Sequence, residues 1–392
     1  MRSVRFVCVF ASVVAFGLTT SANAQIEINI QYIKQLVDAP PTLSNLDPIP
    51  EDLGTHGAEL GLQDNATTGR FLGQSYSLTV TEVDVGGDFA EAVRSALSSS
   101  DLLVLDAPQE QVLMAADMPE TAGALLFNTR AADVALRSDA CRANLLHTLP
   151  SYAMKADALM QFFVQRRWED IALIAGEHPD DQAWADTLEN SARKFGLKFG
   201  ARKTWVFDAD MRRNASQEVP LFTQELGDYD VLLVADAADD FARYIPYNTW
   251  RPRPVAGSAG LRPVTWHRVV EQWGAAQLQS RFDTLADRPM QDRDYAAWAA
   301  VRAIGEAVTR TGAADAETLR AFMLSQEFEL AGFKGAPLTF RTWNGQLRQP
   351  IPIVHERALV AQAPLEGFLH QRTELDTLGL DQPESRCTAF DN

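Results

Sequence analysis

Catalysis and metal binding draw on residues of which this chain has few. Its 392 residues hold six scattered histidines and three cysteines, and His355-Glu356 lacks the second histidine of a zinc-protease helix. No Gly-x-x-x-x-Gly-Lys-Ser/Thr loop is present to cradle a nucleotide phosphate. No Gly-x-Gly-x-x-Gly follows a strand pattern, which weakens a dinucleotide reading. "GSAGL" at 257–261 lacks the Gly-x-Ser-x-Gly spacing of a nucleophile elbow. "GEHPDDQAW" at 176–184 gathers His178, Asp180 and Asp181 in no known metal spacing. It reads better as a proline-containing loop opening a helix with Asp, so neither a metal nor a catalytic cofactor is expected, and no enzyme. Positive charge is scarce too: 35 Lys and Arg against 52 Asp and Glu give −17, which disfavours nucleic acid as a partner. The apolar run Phe6–Leu18 is about 13 residues, short of the roughly 20 that span a bilayer. There is no internal repeat and no low-complexity tract.

What is present begins with a leader. Arg2 and Arg5 precede that apolar run, and Ala22-Asn23-Ala24 ends it in a small-x-small pattern. This is the pattern of a secretory signal peptide cleaved after Ala24, and it sends the mature chain to the periplasm. Losing two arginines takes the net charge to −17 − 2 = −19. Cys8 leaves with the leader, so Cys141 and Cys387 remain. In an oxidising compartment they are expected to form a disulfide tying the C-terminal tail to mid-chain; two buried thiols are the alternative. A loop of that length is credited with roughly 5 kcal/mol in the chain-entropy account.

Short apolar runs recur, each followed by a helical pattern. "IEINIQYI" (26–33), "DLLVLDAP" (101–108), "GALLFNTR" (123–130), "DIALIAGEH" (170–178) and "YDVLLVAD" (229–236) read as buried strands. "DFAEAVRSALSSS" and "YAMKADALMQFFVQRRW" carry helical spacing; in the second, Leu159, Phe162 and Phe163 face one way while Lys155, Gln161 and Gln165 face the other. "DYAAWAAVRAIGEAVTR" (294–310) is the clearest helix, with Tyr295, Trp298, Val301, Ile304 and Val308 on its buried stripe. Strand and helix in alternation mean parallel sheets with right-handed crossovers, an α/β protein; at this length two lobes are expected. "DAPPTLSNLDPIPEDLGTHG" (38–57) reads as a long stiff loop, and the chain after about 364 as irregular and surface-hugging. Several buried runs end in a polar residue or glycine, at Asp106, Asn128, Gly176 and Asp236. In parallel sheets ligands bind beyond such carboxyl ends.

Against the acidic background one stretch stands out. Residues 243–281 hold six arginines, three tryptophans and two tyrosines against one acid, Glu271, a local charge of +5. Arginine forks suit carboxylates, and both arginine and tryptophan stack on flat rings. The same composition also suits a structural network in which arginines pair with surface acids.

The order of these features resembles that of the type I periplasmic solute-binding proteins of ABC importers, the leucine/isoleucine/valine-binding class. Leader, strand–helix repeats, "AGL" near 260, "DYAAWAAVRAIGEAV" and "FKGAPLTFRTWNGQLRQPIPIV" (333–354) carry the likeness. "YIPYNTWRPRPVAGSAGL", "WHRVVEQWGAAQLQSRF" and "GFLHQRTELDTLGLDQPESRC" further resemble the branch of that family associated with pyrroloquinoline-quinone (PQQ) dependent alcohol dehydrogenase systems. The resemblance implies two Rossmann-like lobes joined by crossing hinge strands. Lobe one would be 25–147 with 258–350, lobe two 148–257 with 351–375, and 376–392 a tail. It implies a monomer that closes on a small-molecule ligand and docks on a permease, with a quinoprotein dehydrogenase as a further partner. PQQ, a flat tricarboxylate, would be a transported ligand and not a cofactor. Strand ends and the family's contact loops nominate Asp106, Arg130, Tyr152, Lys155, His178 and Asp236; the arginine–aromatic stretch nominates Tyr247, Trp250, Arg251 and Arg253. The hydroxyl-rich loops that hold amino acids in the family are replaced here by "LDAPQEQ" and "FNTRAAD", which counts against an amino-acid ligand.

Overall fold

The computed structural model describes residues 25–38, 49–206, 211–237 and 239–391. The leader with its cleavage point, and residues 39–48 of the proline-rich loop, lie outside them. The first half of the chain lays down β1 (Ile26–Gln35), α1 (Thr55–Leu72), β2 (Gln74–Val83), α2 (Phe89–Leu97), β3 (Leu102–Asp106), α3 (Gln109–Asp117), β4 (Leu125–Asn128) and β5 (Leu145–His147). Their five strands form one parallel sheet in the order β2-β1-β3-β4-β5. The chain then builds α4 (Tyr152–Arg166), β6 (Asp170–Ala175), α5 (Pro179–Lys194), β7 (Lys198–Thr204), α6 (Met211–Gln224), β8 (Val231–Ala235) and β9 (Val255–Gly257). These four strands make a second parallel sheet, β7-β6-β8-β9.

The central strands β3, β4, β6 and β8 are apolar on both faces because both faces are covered, whereas the edge strands β2 and β7 are polar and partly exposed. In β6, Ile171, Leu173 and Ala175 pack under α4 and α5, while Ala172 and Ile174 point to the α6 side. In the first sheet, one face meets α2 and α3. The other meets α1 and three helices that arrive later, α7 (Ala275–Ala286), α8 (Asp292–Thr311) and α9 (Ala316–Met323), which follow the two-residue β10 (Arg262–Pro263). Helix α8 buries Tyr295, Trp298, Val301, Ile304 and Val308 as its periodicity predicts. It lies so close to α1 that a Cβ on Gly57 would come within 1.9 Å of the Asp294 carbonyl.

Three short strands β11 (Leu330–Ala331), β12 (Pro337–Phe340) and β13 (Leu347–Arg348) extend the first lobe. Strands β14 (Ile351–His355) and β15 (Ala358–Ala363) then pair antiparallel with each other, and β14 with β10. This small sheet carries the crossings between the lobes. The result is two α/β lobes, each a parallel sheet between helices.

Three sequence expectations are corrected. Helix begins at Thr55, inside the expected loop, because Gly54 at φ 89° turns the chain and donates its N–H to Asp294 Oδ1 at 2.7 Å. Gln161 is buried and not solvent-facing, since the C-terminal tail lies over that side of α4. The tail is more than surface-hugging: Leu375, Asp376, Leu378 and Cys387 are all buried. Cys141 and Cys387 are joined in a disulfide.

Candidate functional site

The carboxyl ends of the two sheets approach each other, and a ligand crevice is expected between them. The amide of Tyr152, at the start of α4, donates to the Ala132 carbonyl in the loop after β4 (2.8 Å). Asp180, in the first turn of α5, is near enough for its charge to act on Arg130, Asp133 and Tyr152.

On the first lobe the site is built from the ends of β1, β3 and β4 and the starts of α1 and α8. Asp106, the last residue of β3, is fully buried. Its Oδ2 accepts the Tyr32 hydroxyl at 2.8 Å, and its Oδ1 accepts Arg293 Nη2 from the first turn of α8. Burial, followed by the Asp106 charge, pushes the Tyr32 hydroxyl well above its usual range, so it stays a donor. Gly54 makes room for this pair, because a Cβ there would fall 2.2 Å from the Tyr32 hydroxyl. Asp106 is therefore occupied by protein partners and serves to orient Arg293. The Arg293 Nε and the neighbouring Thr55 Oγ1 are buried and have no partner among the described residues.

Arg130 is placed by Asn128. The Asn128 side-chain oxygen accepts the amides of Arg130 (3.1 Å) and Ala131 (2.8 Å), and its Nδ2 returns to the Ala131 carbonyl at 2.8 Å. This closed turn holds the half-buried Arg130 at the crevice, where its Nη1 donates to the Gln35 carbonyl at 3.0 Å. Burial, then the Arg293 guanidinium, pull Arg130 below its ordinary value. Two cations thus share one wall, with several N–H groups uncommitted.

The second lobe supplies two adjacent aromatic rings, tilted to each other, and acids. The Tyr152 ring lies 5.3 Å from that of Trp184. Its hydroxyl is pushed up by burial and then by Asp180, Asp133 and Asp181. Lys155, nominated as a ligand contact, instead reaches across the lobes to Asp292 Oδ2 at 2.6 Å. Burial alone would raise Asp292, but Lys155 and the Thr265 and Trp266 amides outweigh it and hold the carboxyl low. Asp236 is consumed locally: it accepts the amides of Asp240, Phe241 and Ala242 at 2.9, 2.8 and 2.7 Å. His178 caps α5 and pairs with Asp240 at 2.8 Å, which raises its basicity.

The arginine–aromatic stretch lies elsewhere. β9 runs from Val255 to Gly257 parallel to β8, so the residues before it sit at the amino ends of the second sheet, opposite the crevice. Arg251 confirms the position, bonding the Gly227 carbonyl (2.8 Å) and Asp228 (2.7 Å) ahead of β8. The Trp250 amide donates to Thr223 Oγ1 near the end of α6 (2.8 Å), and the Tyr247 hydroxyl lies 3.5 Å from His355 at the end of β14. Tyr247 is 90% exposed and Trp250 55%; Arg253 is exposed as well. Tyr247, Trp250, Arg251 and Arg253 are thereby removed from the crevice wall. Composition nominated them, but strand direction decides which end of a sheet a segment occupies.

Arg293 went unnoticed in the sequence, yet a signal was there. A cation in the first turn of a helix opposes the helix dipole, and such a local misfit points to another duty. Among the described residues no group of three or more His, Cys, Asp and Glu side chains is placed to hold a metal ion.

No protein-family model matches the chain, and no curated protein sequence does. Solved structures match it over most of its length. A branched-chain amino acid ABC transporter periplasmic ligand-binding protein from Burkholderia xenovorans superimposes with a TM-score of 0.71 at 14% identity, covering 93% of this chain and 100% of that one. The leucine-, isoleucine-, valine-, threonine- and alanine-binding protein of Brucella ovis, in a closed conformation, gives 0.68 at 14%, covering 92% and 98%. An ABC transporter solute-binding protein from R. palustris, in complex with benzoate, gives 0.63 at 13%, covering 92% and 99%. The two facing parallel sheets and these likenesses together establish that the chain has the fold of the type I periplasmic binding proteins.

Proposed function

We propose that this protein is the periplasmic solute-binding component of an ABC importer, closing its lobes on a small anionic solute and presenting it to a membrane permease. The moving bodies in this reading are 25–147 with 258–350, and 148–257 with 351–375. The observation that carries it is the pair Arg130 and Arg293 at the carboxyl ends of the first sheet, with guanidinium N–H groups uncommitted. Arginine at such a position takes carboxylates through paired, charge-assisted hydrogen bonds. The Tyr152–Trp184 surface opposite suits a ring or apolar body on the same solute. No covalent step is involved. PQQ belongs to this chemical class, but its case now rests on Arg130 and Arg293 and no longer on residues 247–253.

Thermal unfolding of the ligand-stripped protein with benzoate, a plain tricarboxylate, PQQ and leucine tests the reading. A solute at 100 times its Kd adds about 2.7 kcal/mol, a shift of a few degrees at this size. A carboxylate solute should raise the midpoint of the native protein and not of Arg130→Gln/Arg293→Gln. Leucine acting equally on both would replace this reading with amino-acid binding independent of the arginines.

A second reading is favoured by the exposed Tyr247, Trp250 and Arg253 at the far end of the second lobe. Tyr, Trp and Arg are the residues that dominate protein interfaces. In this reading the protein partners a periplasmic quinoprotein dehydrogenase and handles its cofactor without a permease. Binding to such an enzyme lost in Tyr247→Ala/Trp250→Ala, with solute binding intact, would favour it.

A further inference from the structure

Residues 364–391 follow the last crossing strand and bind both lobes in turn. The Leu365 amide donates to Gln161 Oε1 on α4 at 3.0 Å, in the second lobe. Eleven residues on, Asp376 Oδ1 accepts Arg341 Nε (2.9 Å) and Arg348 Nε (2.8 Å) from the β12–β13 hairpin of the first lobe. Next, Arg341 Nη2 donates to the Leu378 carbonyl (2.6 Å) and its Nη1 to the Leu380 carbonyl (3.1 Å). Gly379, between those two, is held by the other lobe: its amide donates to Asp157 Oδ2 at 2.8 Å and its carbonyl accepts Lys194 Nζ at 3.0 Å. Lys194 also reaches Glu384 at 2.9 Å. The segment then returns to the first lobe through Ser385 Oγ to the Arg137 carbonyl (2.9 Å), the Arg386 amide to Ser138 Oγ (3.1 Å) and the disulfide to Cys141.

Three consecutive residues thus bind to opposite lobes, with no slack between them. Leu378, among them, is fully buried against Met154 and Ala158 of α4 and Ile351 and Ala363 of the crossing strands. Any rotation that parts Arg341 from Asp157 must break charge-assisted hydrogen bonds that are buried or nearly so. Beyond Leu380 the disulfide fixes the segment seven residues on, a span of at most about 25 Å.

We infer that residues 364–391 are an interlobe stay. It holds the ligand-free protein near the observed lobe separation, and the Cys141–Cys387 disulfide keeps it seated. The inference rests on the reading of two lobes that open and close, but testing it needs no ligand.

The test is small-angle scattering of the ligand-free native protein, of Cys141→Ser/Cys387→Ser and of Lys194→Met, with circular dichroism to establish folding. A compact chain of this size has a radius of gyration of about 21 Å, and release of the stay should add about 1 Å in both variants. Should the double cysteine variant not fold, Lys194→Met, which keeps the disulfide, decides alone. Folded variants with the native radius overturn the stay. Failure of every solute to shift the unfolding midpoint would sink the import reading and leave this result untouched.

Discussion

Asp376 neutralises two guanidiniums that are themselves buried. Arg341 is 1% exposed, and Arg348 is nearly as enclosed. Removing the shared acceptor in Asp376→Ala leaves buried charge uncompensated, a change that costs about 3–5 kcal/mol. Urea unfolding should show that loss, and a cost under about 1 kcal/mol would mean that the carbonyls around Arg341 already suffice. At the crevice, Arg130→Gln and Arg293→Gln should each weaken a carboxylate solute by roughly 10- to 150-fold, the equivalent of one charged hydrogen bond of about 1.5–3 kcal/mol. Calorimetric titration reads this directly, and an unchanged Kd in both would move the anion site elsewhere. Of the proposed site, Arg130 could be nominated from its place after a buried strand. Arg293 was not, because nothing local links a helix start at 292 to the end of a strand at 106. The conspicuous arginines at 251 and 253 misled for the opposite reason: composition reports what a segment can bind and says nothing of which end of a sheet it occupies.

The central strands were legible because a parallel sheet covered on both faces writes itself as short apolar runs: the observed β3, β4, β6 and β8 fall within the runs read from the sequence, and β1 continues two residues beyond its own. Helix α4 was placed well but its exposed face was misjudged, since what covers Gln161 comes from a segment some 200 residues later. Caps carry part of the same legibility. Asp88 accepts the Glu91 amide at 2.9 Å at the start of α2, and Asp88→Ala should cost about 1 kcal/mol. Chemical denaturation of that variant checks it; no loss would mean that α2 is held by its packing alone. The disulfide closes a loop with a sequence separation of 246 residues. Reduction should therefore lower stability by roughly 5 kcal/mol in the chain-entropy account. Urea midpoints with and without a thiol reductant measure it, and a much smaller difference would point to residual order in the reduced unfolded chain.

At the scale of the whole molecule, acidity should act through histidines that folding keeps neutral. Burial pulls His147 well below its ordinary value, and burial followed by Arg262 brings His267 down to about 4. A depressed base binds its proton more readily when unfolded, so stability is full above the unfolded value near 6.5 and is lost as pH falls toward 4. His178, raised by Asp240, works in the opposite direction, but it is largely exposed and solvent screens the pair. The unfolding midpoint should fall between pH 7 and pH 4, with a shallower slope in His267→Gln. A flat profile would show that the histidines are compensated.

The Tyr152–Trp184 pair at the crevice has an optical consequence. Of the eight tryptophans, Trp184 is buried beside the proposed solute, whereas Trp250 and Trp273 are about half exposed, Trp250 at the far end of the second lobe. Their red-shifted emission should be quenched by iodide whether or not solute is present. What remains after quenching comes from enclosed indoles, and a solute settling against Tyr152 should perturb that blue fraction alone. The protein thereby carries its own optical gauge of occupancy, with a built-in internal reference.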